Sequence, residues 1–343
     1  NDTHIKLLRY YHEAIGKPHC RKIIARERSY HGVTVAAASL TGLPVTQNHF
    51  DLPVDALGIL RTDHPHYYRG KQGEETEVEF VDRIVGNLEA MILREGPDTI
   101  AAFIAEPITG ASGVIVPPEG YYQKVQAVLN RYDIMFWADE VITGFGRTGS
   151  DFGCNTMGIE SPDMMTFAKQ LSSAYMPISA SAINREMYTA MIEQTATAGA
   201  FGHGYTYSGH PVACAVALKV LEIYQRDEIF EKAAITGKYL QKRLAEFSDH
   251  PLVGEVRGSG LLGAIELVAD KKTGQPFVGG AVGGYAQKMA QDSGLLIRAV
   301  AGSSLGFCPP LIITEPQIDE LIGKVSIALD KTLEHCHKHS LIV

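Results

Sequence analysis

Two apolar runs near the middle of the chain each carry a charged residue to their carboxyl end. Ile134 to Trp137 leads to Asp139-Glu140, and the glycine-containing segment Val141-Ile142-Thr143-Gly144-Phe145-Gly146-Arg147-Thr148-Gly149 follows. Met164 to Phe167 leads through Ala168 to Lys169. In a parallel α/β sheet the carboxyl ends of strands are where ligands bind. A lysine there can be shielded from water, which makes its amine more nucleophilic. An acid beside it can hold a ring nitrogen protonated. That pair suits pyridoxal phosphate chemistry, which needs a lysine for a Schiff base and a carboxylate for the pyridinium nitrogen. Taken singly, Lys169 reads as a surface lysine and Asp139 as a strand-end carboxylate or helix cap. Together, each closing a strand, they favour the chemical reading.

The elements that must position them follow from periodicity. Apolar residues at helical spacing (Ile5, Leu8, Tyr11, Ile15) predict a helix over 1–15. Strands are expected at Lys22–Arg26, Leu57–Arg61, Ile100–Ala105, Ile134–Trp137, Met164–Phe167 and Ile178–Ile183. Helices are expected after Tyr30-His31-Gly32 and over Glu74–Glu95 and Glu119–Tyr132. Short apolar strands alternating with helices imply a mostly parallel sheet covered on both faces.

Beyond residue 210 the pattern changes. A long helical region over 211–248 breaks near Arg226-Asp227. Strand-like Gly263–Val268, a helix around Tyr285–Ser293, strand-like Leu295–Arg298 and a last helix, Glu315–Cys336, come after it. The expected organisation is therefore a large α/β domain over 1–210 and a smaller α+β domain over 211–343.

Composition sets bounds. The chain has 343 residues, 45% of them hydrophobic and 20% charged, with a formal net charge of -8. No basic block stands out, so nucleic acid is not an expected partner. No apolar stretch reaches the length of a membrane span, and a soluble protein is expected. Five scattered cysteines without paired spacing point to free thiols and a cytoplasmic setting. Gly279-Gly280-Ala281-Val282-Gly283-Gly284 lacks the Lys-Ser/Thr of a phosphate loop and reads as a flexible loop. His335-Cys336-His337-Lys338-His339 reads as a helix end rather than a metal site, and no metal is expected. A nicotinamide-dependent oxidoreductase would need a Gly-x-Gly-x-x-Gly after an early strand, and none is found.

The run 139–149, with Phe167-Ala168-Lys169, resembles the signature of the class III (subgroup II, ω-type) aminotransferases of pyridoxal phosphate fold type I. Ala105-Glu106-Pro107, Tyr30-His31-Gly32, Tyr205-Thr206-Tyr207-Ser208-Gly209-His210-Pro211 and Cys308-Pro309-Pro310-Leu311 agree with it in order. The resemblance implies a catalytic Lys169, a ring-nitrogen partner in Asp139, and ring packing by Tyr30 and Val141. It puts His31 in the cofactor site and Glu106 near the cofactor's phenolic side. It assigns Thr206 to the cofactor phosphate of a neighbouring subunit, hence a homodimer with shared sites, or a tetramer. It gives Arg298 the substrate carboxylate, for which a guanidinium fork is suited.

The implied reaction is ping-pong transamination of an ω-amino acid or amine, with pyruvate as acceptor. Alternatives are a 2-oxoglutarate-dependent ω-aminotransferase of ornithine or 4-aminobutyrate type, a glutamate-1-semialdehyde aminomutase, a decarboxylating relative and a non-catalytic assembly module. In the family a Gly-Ser-Glu-Ala segment precedes the Asn-Asp with which this chain begins and binds the cofactor phosphate. A preceding N-terminal region is accordingly expected to be missing from the chain.

Overall fold

The computed structural model describes residues 1–342. It divides into two compact units. The first comprises 1–107, 117–144 and 153–223; the second comprises 108–116, 145–152 and 224–343. The first unit thus extends past the expected limit at residue 210, and two short segments from within that span belong to the second.

The first unit is built on six strands: β1 (Lys22–Arg26), β2 (Ile59–Thr62), β3 (Ile100–Ala105), β4 (Met135–Asp139), β5 (Met164–Phe167) and β6 (Ala180–Ile183). Their order across the sheet is β2-β1-β3-β4-β5-β6. The first five run parallel, and β6 is antiparallel to β5. All six residues of β3 are buried, as a central strand covered on both faces requires. β4 continues two residues beyond the expected run, because Ala138 and Asp139 stay in register with Met165 and Thr166.

Helices α1 (Asp2–Ala14), α2 (Val35–Leu40), α3 (Tyr67–Gly70), α4 (Glu77–Glu95), α5 (Tyr121–Arg131), α6 (Gly153–Met157) and α7 (Arg185–Ala198) complete this unit, together with most of α8 (Pro211–Arg226). α4 starts on a reciprocal cap between Thr76 and Glu79, and its buried face carries Phe80, Ile84, Leu88 and Ile92. Trp137, the one tryptophan, is fully buried in a core with Ile5, Leu8, Ile23, Ile104 and Met164. Each such large apolar side chain contributes about 1.5–3 kcal/mol on burial.

The second unit holds β7 (Val253–Ser259), β8 (Leu262–Asp270), β9 (Gln275–Pro276), β10 (Arg298–Val300) and β11 (Ser304–Phe307). These form an antiparallel sheet ordered β10-β11-β8-β7, with β9 on β8. Helices α9 (Ile229–Ala245), α10 (Ala281–Asp292) and α11 (Glu315–Lys338) belong to it. Buried Arg257 ties the unit together, pairing with Glu255 and Glu266 and donating to the Gly113 carbonyl at 2.8 Å.

Two expectations are corrected here. Ala281 to Gly284 form the first turn of α10 rather than part of a loop, because Gly283 lies against the Gly302 backbone where a Cβ would sit 2.6 Å from the Gly302 carbonyl. Arg298 opens a strand instead of closing one, since the pairing begins at Arg298 opposite Gly306. The five cysteines are free. Among the described residues no helix is long and apolar enough to cross a membrane.

Candidate active site

Four neighbouring parallel strands, β1, β3, β4 and β5, end on the same edge of the sheet. The loop after β1 brings Tyr30 and His31, β3 leads to Glu106, β4 ends in Asp139, and β5 leads to Lys169. These side chains line one cavity together with Asn1, Gly32, Val141 and Ile142. Six of the eight site residues named from the sequence are thereby brought together. Thr206 lies elsewhere in the first unit, exposed in a turn between exposed Tyr205 and Tyr207. Arg298 belongs to the second unit, where it is exposed at the start of β10.

Asp139 is buried and accepts three hydrogen bonds. Its Oδ2 accepts from His31 Nδ1 at 2.8 Å and from Asn1 Nδ2 at 2.9 Å, and its Oδ1 accepts from the Val141 N–H at 3.2 Å. A carboxylate only accepts, so the hydrogen of His31 sits on Nδ1. Burial alone would raise the carboxyl's pKa. The His31, Asn1 and Val141 contacts outweigh it and hold Asp139 below its ordinary value. The result is a buried anion facing the cavity at neutral pH. His31 itself is anchored through its N–H to Thr41 Oγ1 at 2.8 Å, and its Nε2 is buried without a hydrogen-bond partner.

Glu106 is also buried. Its side chain accepts from the Tyr30 N–H at 2.9 Å, which fixes the backbone that carries the Tyr30 ring. Its carbonyl accepts from buried Arg26 Nη2 at 2.6 Å and from the Tyr122 hydroxyl at 2.7 Å. Gly32, next along, has φ +128°, and a Cβ there would lie 2.9 Å from the Ala37 Cβ. Only glycine fits that turn without displacement.

Lys169 opens a single 3-10 turn with φ 44°, a left-handed conformation that a lysine rarely adopts. Strain of this kind costs about 1–3 kcal/mol and clusters at functional sites. The side chain is exposed. The shielding expected of an apolar strand end is therefore not supplied by the described residues, because the strand stops at Phe167, two residues before Lys169.

Sequence reasoning missed four residues of this centre. Glu140 is fully buried and accepts from the Gly153 and Cys154 N–H groups and the Thr143 hydroxyl, bracing the segment that carries Val141. Asn1, His4 and Thr166 lie behind Asp139. The signals open to sequence were the acid pair Asp139-Glu140 for Glu140 and a lone threonine in the apolar run Met-Met-Thr-Phe for Thr166.

The donor set fits a pyridoxal group on this structure's own terms. A buried anion can face a protonated ring nitrogen, an amine is available for an aldehyde carbon, and an aromatic and a branched aliphatic side chain flank the cavity.

The comparisons with known proteins agree with this geometry. The gamma aminobutyrate transaminase 3 of Solanum lycopersicum is 49% identical over 97% of this chain and 63% of its own length. The diaminobutyrate–2-oxoglutarate transaminase of Halomonas elongata is 44% identical over 97% of this chain and 72% of its own. A solved transaminase bound to L-alanine superposes with a TM-score of 0.95 at 50% identity, covering 98% of this chain and 78% of the other. The Pseudomonas jessenii omega transaminase in complex with PMP gives 0.95 at 49% identity, covering 97% and 73%. The chain spans 63–65% of the length of the plant relatives it matches. The aminotransferase class-III family model matches residues 1–329. With the strand-end cluster and this match running over almost its whole length, the chain belongs to the class-III aminotransferases.

Proposed function

We propose that this chain carries the pyridoxal 5'-phosphate centre of an ω-aminotransferase that moves an amino group from an amine or ω-amino acid to pyruvate. The observation that carries the reading is the convergence of Lys169 and the buried anion of Asp139 on one cavity at the ends of adjacent strands. Bound pyridoxal phosphate supplies the electron sink for transamination. The chain's own residues do the rest. Asp139 keeps the hydrogen on the ring nitrogen, since a buried carboxylate holds a cationic partner tightly. Lys169 would supply the amine that holds the aldehyde carbon, with loss of water, and, once the substrate amine displaces it, would carry the substrate Cα proton. Tyr30 and Val141, which line the cavity, would pack on the ring, and Glu106 fixes the loop that presents Tyr30.

For the acceptor, Arg298 is the proposed partner of the substrate carboxylate, and the solved transaminase bound to L-alanine supports pyruvate, the keto acid of alanine. The relative named for 2-oxoglutarate supports the alternative acceptor. A homodimer is also proposed: Thr206, exposed between Tyr205 at 62% and Tyr207 at 82%, would serve the phosphate of a second copy. Sedimentation velocity with pyridoxal phosphate present tests it, and a monomer would remove it.

Adding pyridoxal phosphate should produce an absorbance band near the visible edge that Lys169→Ala abolishes. A band that survives unchanged in Lys169→Ala ends the lysine assignment. An acceptor panel should then favour pyruvate; faster turnover with 2-oxoglutarate would replace the acceptor while leaving the enzyme class intact.

A further inference from the structure

Behind Asp139 lies a chain of polar side chains in otherwise apolar packing, and its hydrogens can be counted. Asn1 Nδ2 donates to Asp139 Oδ2 at 2.9 Å and to the His31 carbonyl at 2.6 Å. Both partners only accept, so the amide orientation is fixed and Asn1 Oδ1 points the other way, to Thr166 Oγ1 at 2.8 Å. Amide oxygen cannot donate, so the single Thr166 hydrogen goes to Asn1. Trp137 Nε1, a donor only, takes one Thr166 lone pair at 2.9 Å. The remaining lone pair faces His4 Nδ1 at 3.0 Å. His4, Trp137 and Thr166 are all buried, and the β4–β5 register sets Thr166 directly beside Asp139.

His4 completes the count. Its Nε2 lies 3.2 Å from the Ala182 carbonyl, another acceptor. Serving both neighbours would take two ring hydrogens, but burial drives the His4 pKa down to about 4, so at neutral pH the ring carries one. With that hydrogen on Nδ1, His4 feeds Thr166, Thr166 feeds Asn1, and Asn1 clamps Asp139. With it on Nε2, the bare Nδ1 competes for the Thr166 hydrogen and Asn1 Oδ1 loses its donor.

We propose that Thr166 is a positioning residue for Asp139, acting through Asn1, and that the Nδ1–H form of His4 sets the direction of the relay. This rests on the reading of Asp139 as the partner of a protonated ring nitrogen. Thr166 and His4 do not line the cavity; through Asn1 they fix where the carboxylate points and which of its lone pairs are already occupied.

The experiment uses the purified chain loaded with pyridoxal phosphate labelled with ¹⁵N in the ring. The readouts are the ring ¹⁵N chemical shift, which reports whether that nitrogen carries a hydrogen, and the dissociation constant of the cofactor. Thr166→Ser should match the wild type. Thr166→Val, which keeps the shape and removes the hydroxyl, should move the shift toward the unprotonated position and weaken binding roughly fivefold, the loss of about one hydrogen bond.

His4 gives an independent arm should the valine variant fail to fold. His4→Asn keeps a donor at the Nδ1 place and should retain the wild-type shift, whereas His4→Gln, which keeps one at the Nε2 place, should not. A wild-type shift and affinity in Thr166→Val, or identical behaviour of the two His4 variants, overturns the relay. An unprotonated ring nitrogen in the wild type itself overturns the reading of Asp139 instead, so the two failures are distinct.

Discussion

Glu140 stands next to Asp139 in sequence but has a different task, and removing it should be costly. Its Oε2 accepts from the Gly153 N–H at 2.9 Å and from the Thr143 hydroxyl, and its Oε1 accepts from the Cys154 N–H at 2.7 Å. Glu140→Ala leaves three buried donors unpaired. Each such donor costs about 1–3 kcal/mol, and with some water admitted to the gap the total should be roughly 3–5 kcal/mol. Glu140→Gln preserves volume and one oxygen but turns an NH2 toward a backbone N–H, so its loss should be roughly 1–3 kcal/mol. Trp137 is the only tryptophan and sits in the core of the first unit, so its fluorescence reports unfolding of that unit. Urea titrations at pH 7 should give midpoints in the order wild type, Gln, Ala. Equal midpoints for the two variants, or an alanine midpoint at the wild-type value, would refute the accounting of donors.

Two further predictions concern the same centre. Asp139 has a folded pKa below its unfolded one, so its contribution to stability is present above the ordinary carboxylate pKa and is lost as pH falls through the folded value. His31→Phe removes a principal partner and lets burial dominate, raising that pKa, so the variant should be less stable than wild type by about 1.5–3 kcal/mol at pH 7. The gap should narrow as the pH is lowered through 5 and 4, because the variant's carboxyl then takes up its proton; a gap that stays constant in urea titrations across that range would show that His31 acts by packing alone. Gly32→Ala must adopt φ +128° and bring its Cβ to 2.9 Å from the Ala37 Cβ, so a loss of about 1–3 kcal/mol is expected. An unchanged midpoint by the same fluorescence titration would mean that the turn relaxes freely.

The elements most legible in the sequence were those whose burial leaves a simple pattern. β1, β3 and β5 match the expected ranges residue for residue, because each is a short apolar run that the chain leaves at a turn or proline. α7 and β7 went unread for opposite reasons. The threonines and alanines of α7 blur its apolar face, and β7 intersperses glycine, glutamate and arginine, since Arg257 within it is satisfied by ion pairs rather than by solvent. At the site, Asp139 and Lys169 were readable from their place at strand ends, and Tyr30, His31, Glu106 and Val141 only through the family's motifs. Those that hold them were not: Glu140, Asn1, His4 and Thr166 act through contacts across 3 to 178 residues of sequence, and no local period records such pairs.

The order of strands explains why so much converges at one place. β1 lies beside β3, not beside β2 alone, so the loop after β1 reaches Glu106 directly and Tyr30 can donate to it. β4 follows β3 and β5 follows β4, which sets Asp139 between Glu106 and Lys169 along the sheet edge. Parallel neighbours of this kind, joined by crossovers, all finish on one edge. Asn1, which caps α1, hydrogen-bonds Asp139, and His4 within α1 reaches the Ala182 carbonyl in β6. A rigid sheet therefore fixes the anion, its partners and the lysine relative to one another before any ligand arrives. The one member left exposed and in a left-handed turn is Lys169, the group proposed to form the bond to the cofactor. The buried position thus goes to the charge of Asp139, and the exposed one to the amine of Lys169.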